Sequence, residues 1–235
     1  MSALNDPALV AHEYADESNL SVRIAAQAAS TGPDARQVAF DAVAEIEPSL
    51  VLEVGPGRGE LAERMARELD ARVIGIDQSQ RMVALTQARG VEAVVGDVQN
   101  LPFRDGIFDC AVAAWMLYHV QDLNRALLEL SRVLRPQGRL VATTNSRDTL
   151  PELWNLLGGK PNSTFNAENA EGALLRHFTI VERRDVRGTV TFADREAAHR
   201  YASTLAAGSA DELPDFEGPL VCSRHAAVFV CVTFT

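Results

Sequence analysis

From residue 49 to residue 145, short apolar runs alternate with stretches of helical periodicity, and no other feature constrains the fold as much. "SLVLEV", "ARVIGID", "VEAVVGD", "FDCAVAAW" and "RLVATTN" read as five strands. "GELAERMARELD", "SQRMVALTQARG" and "DLNRALLELSRVLRPQG" read as helices between them. Strands that are apolar almost throughout are buried on both faces, which is the mark of a parallel sheet covered by helices on each side. Local punctuation agrees. Ser79 and Asp122 stand where N-caps belong, Gly90 ends the second helix, and Pro136 to Gly138 close the third.

Outside that core the rhythm changes. Residues 6–30 and 34–47 read as two helices, the second stopped by Pro48. After residue 147, "TLPELWNLL", "AENAEGALLRHF" and "ADREAAHRYASTLAA" look helical. "TIVERRDVRGTVTF" and "RHAAVFVCVTF" alternate as antiparallel strands do, and so add a pair to the sheet edge. The expected organisation is an N-terminal helical segment (1–48), an α/β core (49–147), and a C-terminal part (148–235) that completes the same sheet.

Composition excludes several classes. A formal net charge of -10 argues against nucleic acid or another polyanion as partner. Cys110, Cys222 and Cys231 are odd in number and form no CxxC pair, so a reducing cytoplasm is expected rather than a disulfide framework. The N-terminus lacks the basic and apolar regions of a signal peptide, and no apolar run is long enough to span a bilayer. His12, His177, His199 and His225 show no metal-ligand spacing, so no metal is expected.

The ligand site of an open α/β sheet lies beyond the carboxyl ends of its strands. The first strand-to-helix turn there is "GPGRGE", residues 55–60. A dinucleotide fingerprint needs Gly-x-Gly-x-x-Gly/Ala, with a pyrophosphate on the helix N-terminus. Here the third position is Glu60, and Glu53 precedes the turn. Two carboxylates repel phosphates and suit a cationic or neutral group. Asp77 ends the second strand, where a carboxylate accepts from ribose hydroxyls. Asp97 ends the third, where it accepts from an adenine amino group beside the Val98 N–H. An NAD site accounts for Asp77 but gives no reason for Asp97. S-adenosylmethionine, with a positive ammonium and sulfonium and no phosphate, accounts for all of them.

At this point the chain resembles the class I S-adenosylmethionine-dependent methyltransferases, and within them the UbiE/small-molecule (methyltransferase type 11) group. The matching blocks are "VLEVGPGRGE", "VIGIDQSQRM", "VVGDVQNLPFRDGIFDCAVAAWMLYHV" and "LLELSRVLRPQGRLVATTN". The resemblance implies a Rossmann-like α/β fold: a seven-stranded, mostly parallel sheet of order 3-2-1-4-5-7-6, with an antiparallel last strand and helices on both faces. It implies that Glu53, Gly55, Pro56, Gly57 and Gly59 form the turn that holds the methionine part. Asp77 and Gln78 would meet the ribose and adenine edge with Met82 packed nearby. Asp97 and Val98 would contact adenine, and the Ala114 backbone would face the ammonium. "EYADESNLSVR" looks like the group's N-terminal lid, in which Tyr14 and Arg23 close over the cofactor and Arg23 meets its carboxylate.

The activity so implied is methyl transfer to an O, N or C nucleophile of a small organic molecule, leaving S-adenosylhomocysteine. The alternative is a non-catalytic regulatory or interaction protein of the same fold that binds the cofactor. "AAWMLY" after the fourth strand excludes the Asn/Asp-Pro-Pro-Tyr/Phe type that methylates DNA or protein amides, and no Pro-Cys nucleophile is present. His119 and Tyr118 are the candidate catalytic residues. His119 is either a general base or a brace for its loop. Trp115, at the mouth of the fourth strand, serves either the pocket or the core. The chain would act as a monomer or homodimer.

Overall fold

The computed structural model describes residues 4–6, 18–28, 30–159, 162–205 and 210–234. Helix α1 (Ser18–Ala28), the short strand β1 (Ser30–Thr31) and α2 (Ala35–Ala44) precede the core. The core follows as β2 (Leu50–Val54), α3 (Glu60–Glu68), β3 (Arg72–Asp77), α4 (Gln80–Ala88), β4 (Glu92–Val95), β5 (Phe108–Ala114), a 3₁₀ turn (Leu117–His119), α5 (Leu123–Val133) and β6 (Leu134–Asn145). The C-terminal part supplies α6 (Pro151–Leu156), α7 (Ala170–Leu174), β7 (Phe178–Phe192), α8 (Arg195–Ala202) and β8 (Leu220–Thr233).

The eight strands among the described residues lie in one sheet of order β1-β7-β8-β6-β5-β2-β3-β4. Strands β2 to β6 pair in parallel. Strand β8 runs antiparallel to both of its neighbours, β6 and β7. Leaving β1 aside, this is the 3-2-1-4-5-7-6 order with an antiparallel last strand. The eighth strand is an addition: Ser30 and Thr31 pair with Val190 and Thr189 at the sheet edge. Two residues carry no periodicity, so the sequence pattern could not reveal it.

The central strands are largely apolar because each face of the sheet is covered. Leu52, Val54, Ile76, Ala111 and Leu140 pack on one side against Leu127 and Leu130 of α5 and Leu174 of α7. Val51, Val73, Val112 and Val141 pack on the other against Phe40 and Val43 of α2 and Met65 of α3. A third cluster joins Trp154 of α6 to Ala198 of α8 and to Phe192 and Cys222. Trp154 is thus a core residue.

The caps form as the local sequence dictates. Met82 N donates to Ser79 Oγ at 3.4 Å, and Arg125 N donates to Asp122 Oδ1 at 2.9 Å. The end of α5 differs from expectation: the helix stops at Val133, and residues 134–138 already belong to β6. Leu134 pairs with Phe108 in the sheet, and Arg135 makes a 2.6 Å ion pair with Asp109. Sheet pairing with β5 ends the helix three residues before Pro136. On β7, Glu182, Arg183, Asp185 and Arg187 form an exposed face laced with ion pairs. Arg183 pairs with Asp185 at 2.8 Å, and Arg184 pairs with both Glu45 and Glu182.

Candidate active site

A cavity of about 650 Å³ opens at the carboxyl ends of the parallel strands. Its floor is the turn from β2 to α3. The Gly55 N–H donates to the Ile76 carbonyl at 2.8 Å, which draws this turn against the end of β3. Gly55 sits at φ +64°, and a Cβ there would fall 2.9 Å from the Met116 Cβ, so glycine alone fits between the turn and the segment after β5. Gly59 has another task. At φ +77° it begins α3, and a Cβ would meet Thr86 of α4 at 2.9 Å. It lets α3 and α4 approach and does not line the cavity, whereas Gly55, Pro56 and Gly57 do.

Three carboxylates reach this space from adjacent strands. Glu53 is 2% exposed, and its Oε2 has no hydrogen-bond partner among the described residues. Burial, and then the neighbouring Asp77 charge, push its carboxyl up to about 8. A buried carboxyl left in that condition fits a cationic group such as a ligand ammonium. Asp77 is raised by burial, and backbone N–H bonds from Ser79, Gly57 and Gln78 offset part of the rise. Its Oδ1 accepts from Ser79 N at 2.8 Å. Asp97 accepts from Gln99 N at 2.8 Å and from Gln99 Nε2 at 3.1 and 3.0 Å. Gln99 also holds the start of α5, since its Oε1 accepts from Asp122 N at 2.8 Å. An adenine amino group would have to displace that Gln99 amide, a competitor that sequence reasoning missed.

Glu60 does not act as the phosphate-repelling charge expected of it. Glu60 lies 3.8 Å from Arg36, 3.7 Å from Arg58 and 3.6 Å from Arg89. With three guanidinium groups around it, its charge is compensated and it cannot be counted as repelling a phosphate. These arginines come from α2, the turn and the end of α4, so their convergence was not visible along the chain. The preference for a cation rests on Glu53.

Beyond β5 the chain forms the other wall. Ala114, Trp115, Met116, Tyr118 and His119 line the cavity. His119 Nδ1 stands 3.0 Å from the Leu4 carbonyl oxygen. A carbonyl only accepts, so Nδ1 carries the hydrogen, and in the neutral ring the lone pair is on Nε2. The contact is a brace, and it also sets the tautomer that a base at Nε2 requires. The Tyr118 ring lies beside it, with centroids 4.4 Å apart. Trp115 Nε1 donates to Asn145 Oδ1 at 3.1 Å.

The remaining expected residues divide. Gln78, Asp97 and Val98 line the cavity. Met82 is 1% exposed and does not line the cavity. Arg23 reaches the cavity from α1, and its guanidinium ties α1 to the end of α8 through Thr204, by an Nε to Oγ1 bond of 3.2 Å and a second bond to the Thr204 carbonyl. Tyr14 lies outside the described residues. Tyr201 of α8 and Asn145 at the end of β6 also line the cavity and were not anticipated. Asn145 ends a strand on the ligand side and was accessible to the strand-end rule; Tyr201 was not. Among the described residues no group of three or more His, Cys, Asp or Glu side chains is placed to hold a metal.

The family model described as a methyltransferase domain matches residues 52–142. The demethylmenaquinone methyltransferase of Thermotoga maritima is 34% identical over 109 residues, 45% of this chain and 48% of that protein. Phthiotriol/phenolphthiotriol dimycocerosates methyltransferase 1 of Mycobacterium ulcerans is 30% identical over 177 residues, 70% of this chain and 65% of that protein. The chain spans about half the length of the demethylmenaquinone methyltransferases it matches. Among solved structures, the N-methyltransferase NodS of Bradyrhizobium japonicum, in complex with S-adenosyl-L-homocysteine, superposes with a TM-score of 0.61 at 18% identity, covering 100% of both chains. Residues 52–142 are therefore a methyltransferase domain, and the chain has the fold of the class I S-adenosylmethionine-dependent methyltransferases.

Proposed function

We propose that this protein is an S-adenosylmethionine-dependent methyltransferase acting on an O, N or C nucleophile of a small organic molecule. The observation that carries the reading is the set of carboxylates at the ends of β2, β3 and β4: Glu53, Asp77 and Asp97 all line one cavity, over a glycine turn that lets the ligand approach the backbone. Glu53 meets the methionine ammonium, Asp77 the ribose hydroxyls, and Asp97 with Val98 the adenine edge. Gly55, Pro56 and Gly57 cradle the methionine part, with the Ala114 backbone opposite. Gln78 lies along the adenine edge. Arg23, with Tyr14, closes the lid over the site.

The cofactor, when bound, supplies a methyl group on a sulfonium whose departure needs no proton. The chain's task is to hold the acceptor in line with that methyl and to keep water out. Orientation of this kind is worth up to ~7–11 kcal/mol. His119, with its lone pair at Nε2, takes a proton from a hydroxyl or ammonium acceptor, and Tyr118 is the next candidate. No metal enters this scheme. Among the described residues no helix is long and apolar enough to cross a membrane. The three free cysteines, all buried, suit a reducing cytoplasm.

The test has two arms. Calorimetry should show S-adenosylhomocysteine binding with no NADP binding at similar concentration; the reverse would sink the reading. Labelled S-adenosylmethionine with an extract of a candidate host should then yield a labelled small molecule by mass. Tight cofactor binding with no labelled product from any extract would favour the non-catalytic, regulatory alternative.

A further inference from the structure

Trp115 is the first residue beyond β5, and its backbone stands in the left-handed region at φ +54°. A bulky aromatic residue there is an outlier that its surroundings must hold in place, and such residues gather at functional sites. Two hydrogen bonds to the end of β6 hold this one. The Trp115 N–H donates to the Thr143 carbonyl at 2.9 Å, and the indole N–H donates to Asn145 Oδ1 at 3.1 Å. The ring packs against the cluster of Ala35, Val186 and Ala226 and also lines the cavity.

This arrangement decides how Asn145 faces the cavity. An indole nitrogen can only donate, so the amide oxygen must meet it and the amide NH2 must turn away. That NH2 has no hydrogen-bond partner among the described residues, and Asn145 lines the cavity. The cofactor reading uses Glu53, Asp77 and Asp97, and leaves this donor unassigned. A donor held in one direction at a half-buried cavity wall discriminates once a bound molecule has displaced water from it. It favours a molecule bringing an acceptor atom, is left unpaired by one that brings none, and opposes a cationic donor.

Resting on the methyl-transfer reading, we propose that Asn145 is a specificity-determining residue. It donates from its side-chain NH2 to an oxygen of the methyl acceptor, whose flat apolar body lies against the Trp115 indole. The acceptor is thus an organic molecule with an accepting oxygen and a flat apolar face. Trp115 is the positioning residue that keeps the Asn145 amide in register.

The test uses the full chain saturated with S-adenosylhomocysteine and three probes of one shape. Acetophenone offers an accepting oxygen, α-methylstyrene replaces that oxygen with a CH2, and benzamidine offers only donors. Binding is read by saturation-transfer NMR. The parent should bind acetophenone at least about tenfold more tightly than α-methylstyrene, and benzamidine more weakly than either. Asn145→Asp still accepts from the indole but turns a second acceptor to the cavity. It should lose the preference for acetophenone and gain benzamidine, a gain that a misfolded variant cannot produce. Trp115→Phe removes the indole donor, lets the amide rotate, and should narrow the discrimination while Asn145→Asp reverses it. Equal binding of acetophenone and α-methylstyrene, no binding of either, or the parental order in Asn145→Asp would overturn the proposal. Failure of the parent to bind S-adenosylhomocysteine would overturn the methyl-transfer reading itself. Cofactor binding without probe discrimination removes only the role of Asn145.

Discussion

Glu53→Gln is the most informative single change. The folded chain holds this carboxyl at about 8 against an ordinary value of 4.5, because burial and the Asp77 charge penalise its ionised form. Each unit is worth about 1.4 kcal/mol, so the ionised carboxyl costs the empty protein on the order of 5 kcal/mol. Below pH 4.5 the folded and unfolded chains both keep the proton. As pH rises from there, the unfolded chain ionises first, and stability declines until pH passes about 8, where the loss is complete. Glutamine has the same shape and no proton to lose, so the variant should lack this decline and be the more stable protein at pH 9. Ligand binding should show the converse. An ammonium beside Glu53 favours the carboxylate, so S-adenosylhomocysteine should expel about one proton at pH 7 and bind up to about tenfold more tightly per unit between pH 6 and 8. Titration calorimetry in phosphate and in Tris buffers counts that proton. In the glutamine variant, affinity should be weaker and nearly independent of pH over this window. A parent that releases no proton and binds equally at pH 6 and 8 would refute the reasoning, as would a variant that binds as tightly as the parent.

Asp77→Asn should weaken S-adenosylhomocysteine by about 1.5–3 kcal/mol through loss of a charge-assisted bond, with the fold retained; calorimetry measures it. Gly55→Ala should lower the melting temperature and abolish measurable cofactor binding, because its Cβ would fall 2.9 Å from that of Met116. If His119 is the base, His119→Ala should cut turnover by roughly 10²–10⁴ while cofactor affinity and melting temperature hold. If it is the brace seen against Leu4, the melting temperature should fall and Gln or Asn should restore most of the turnover. Arg23→Ala should speed amide exchange at the end of α8, where Thr204 loses its tie to α1, most visibly with S-adenosylhomocysteine bound.

The alternation of apolar runs and helical periods was enough to read the parallel core, its layers and the side on which the ligand site lies. Asp77, Asp97 and the glycine turn were legible for the same reason, since each sits at a strand end that the rhythm itself marks. Ser79 and Asp122 were legible because a cap bonds within three residues of itself. These features depend on neighbours along the chain or on a rule that holds for every sheet of this kind. Tertiary structure decided what depends on distant partners. Pairing of Leu134 with Phe108 ends α5 before its own helical period does. Arg36, Arg58 and Arg89 converge on Glu60 from three separate elements and remove the charge that the linear reading had assigned to it. The Glu53 oxygen that has no partner among the described residues, the Gln99 amide over Asp97, and the tryptophan that bonds the Asn145 oxygen all arise where strand ends and loops meet. A residue's type and spacing can place it at that edge, but its hydrogen-bond partner, and so its charge and direction, depends on which distant segment packs beside it.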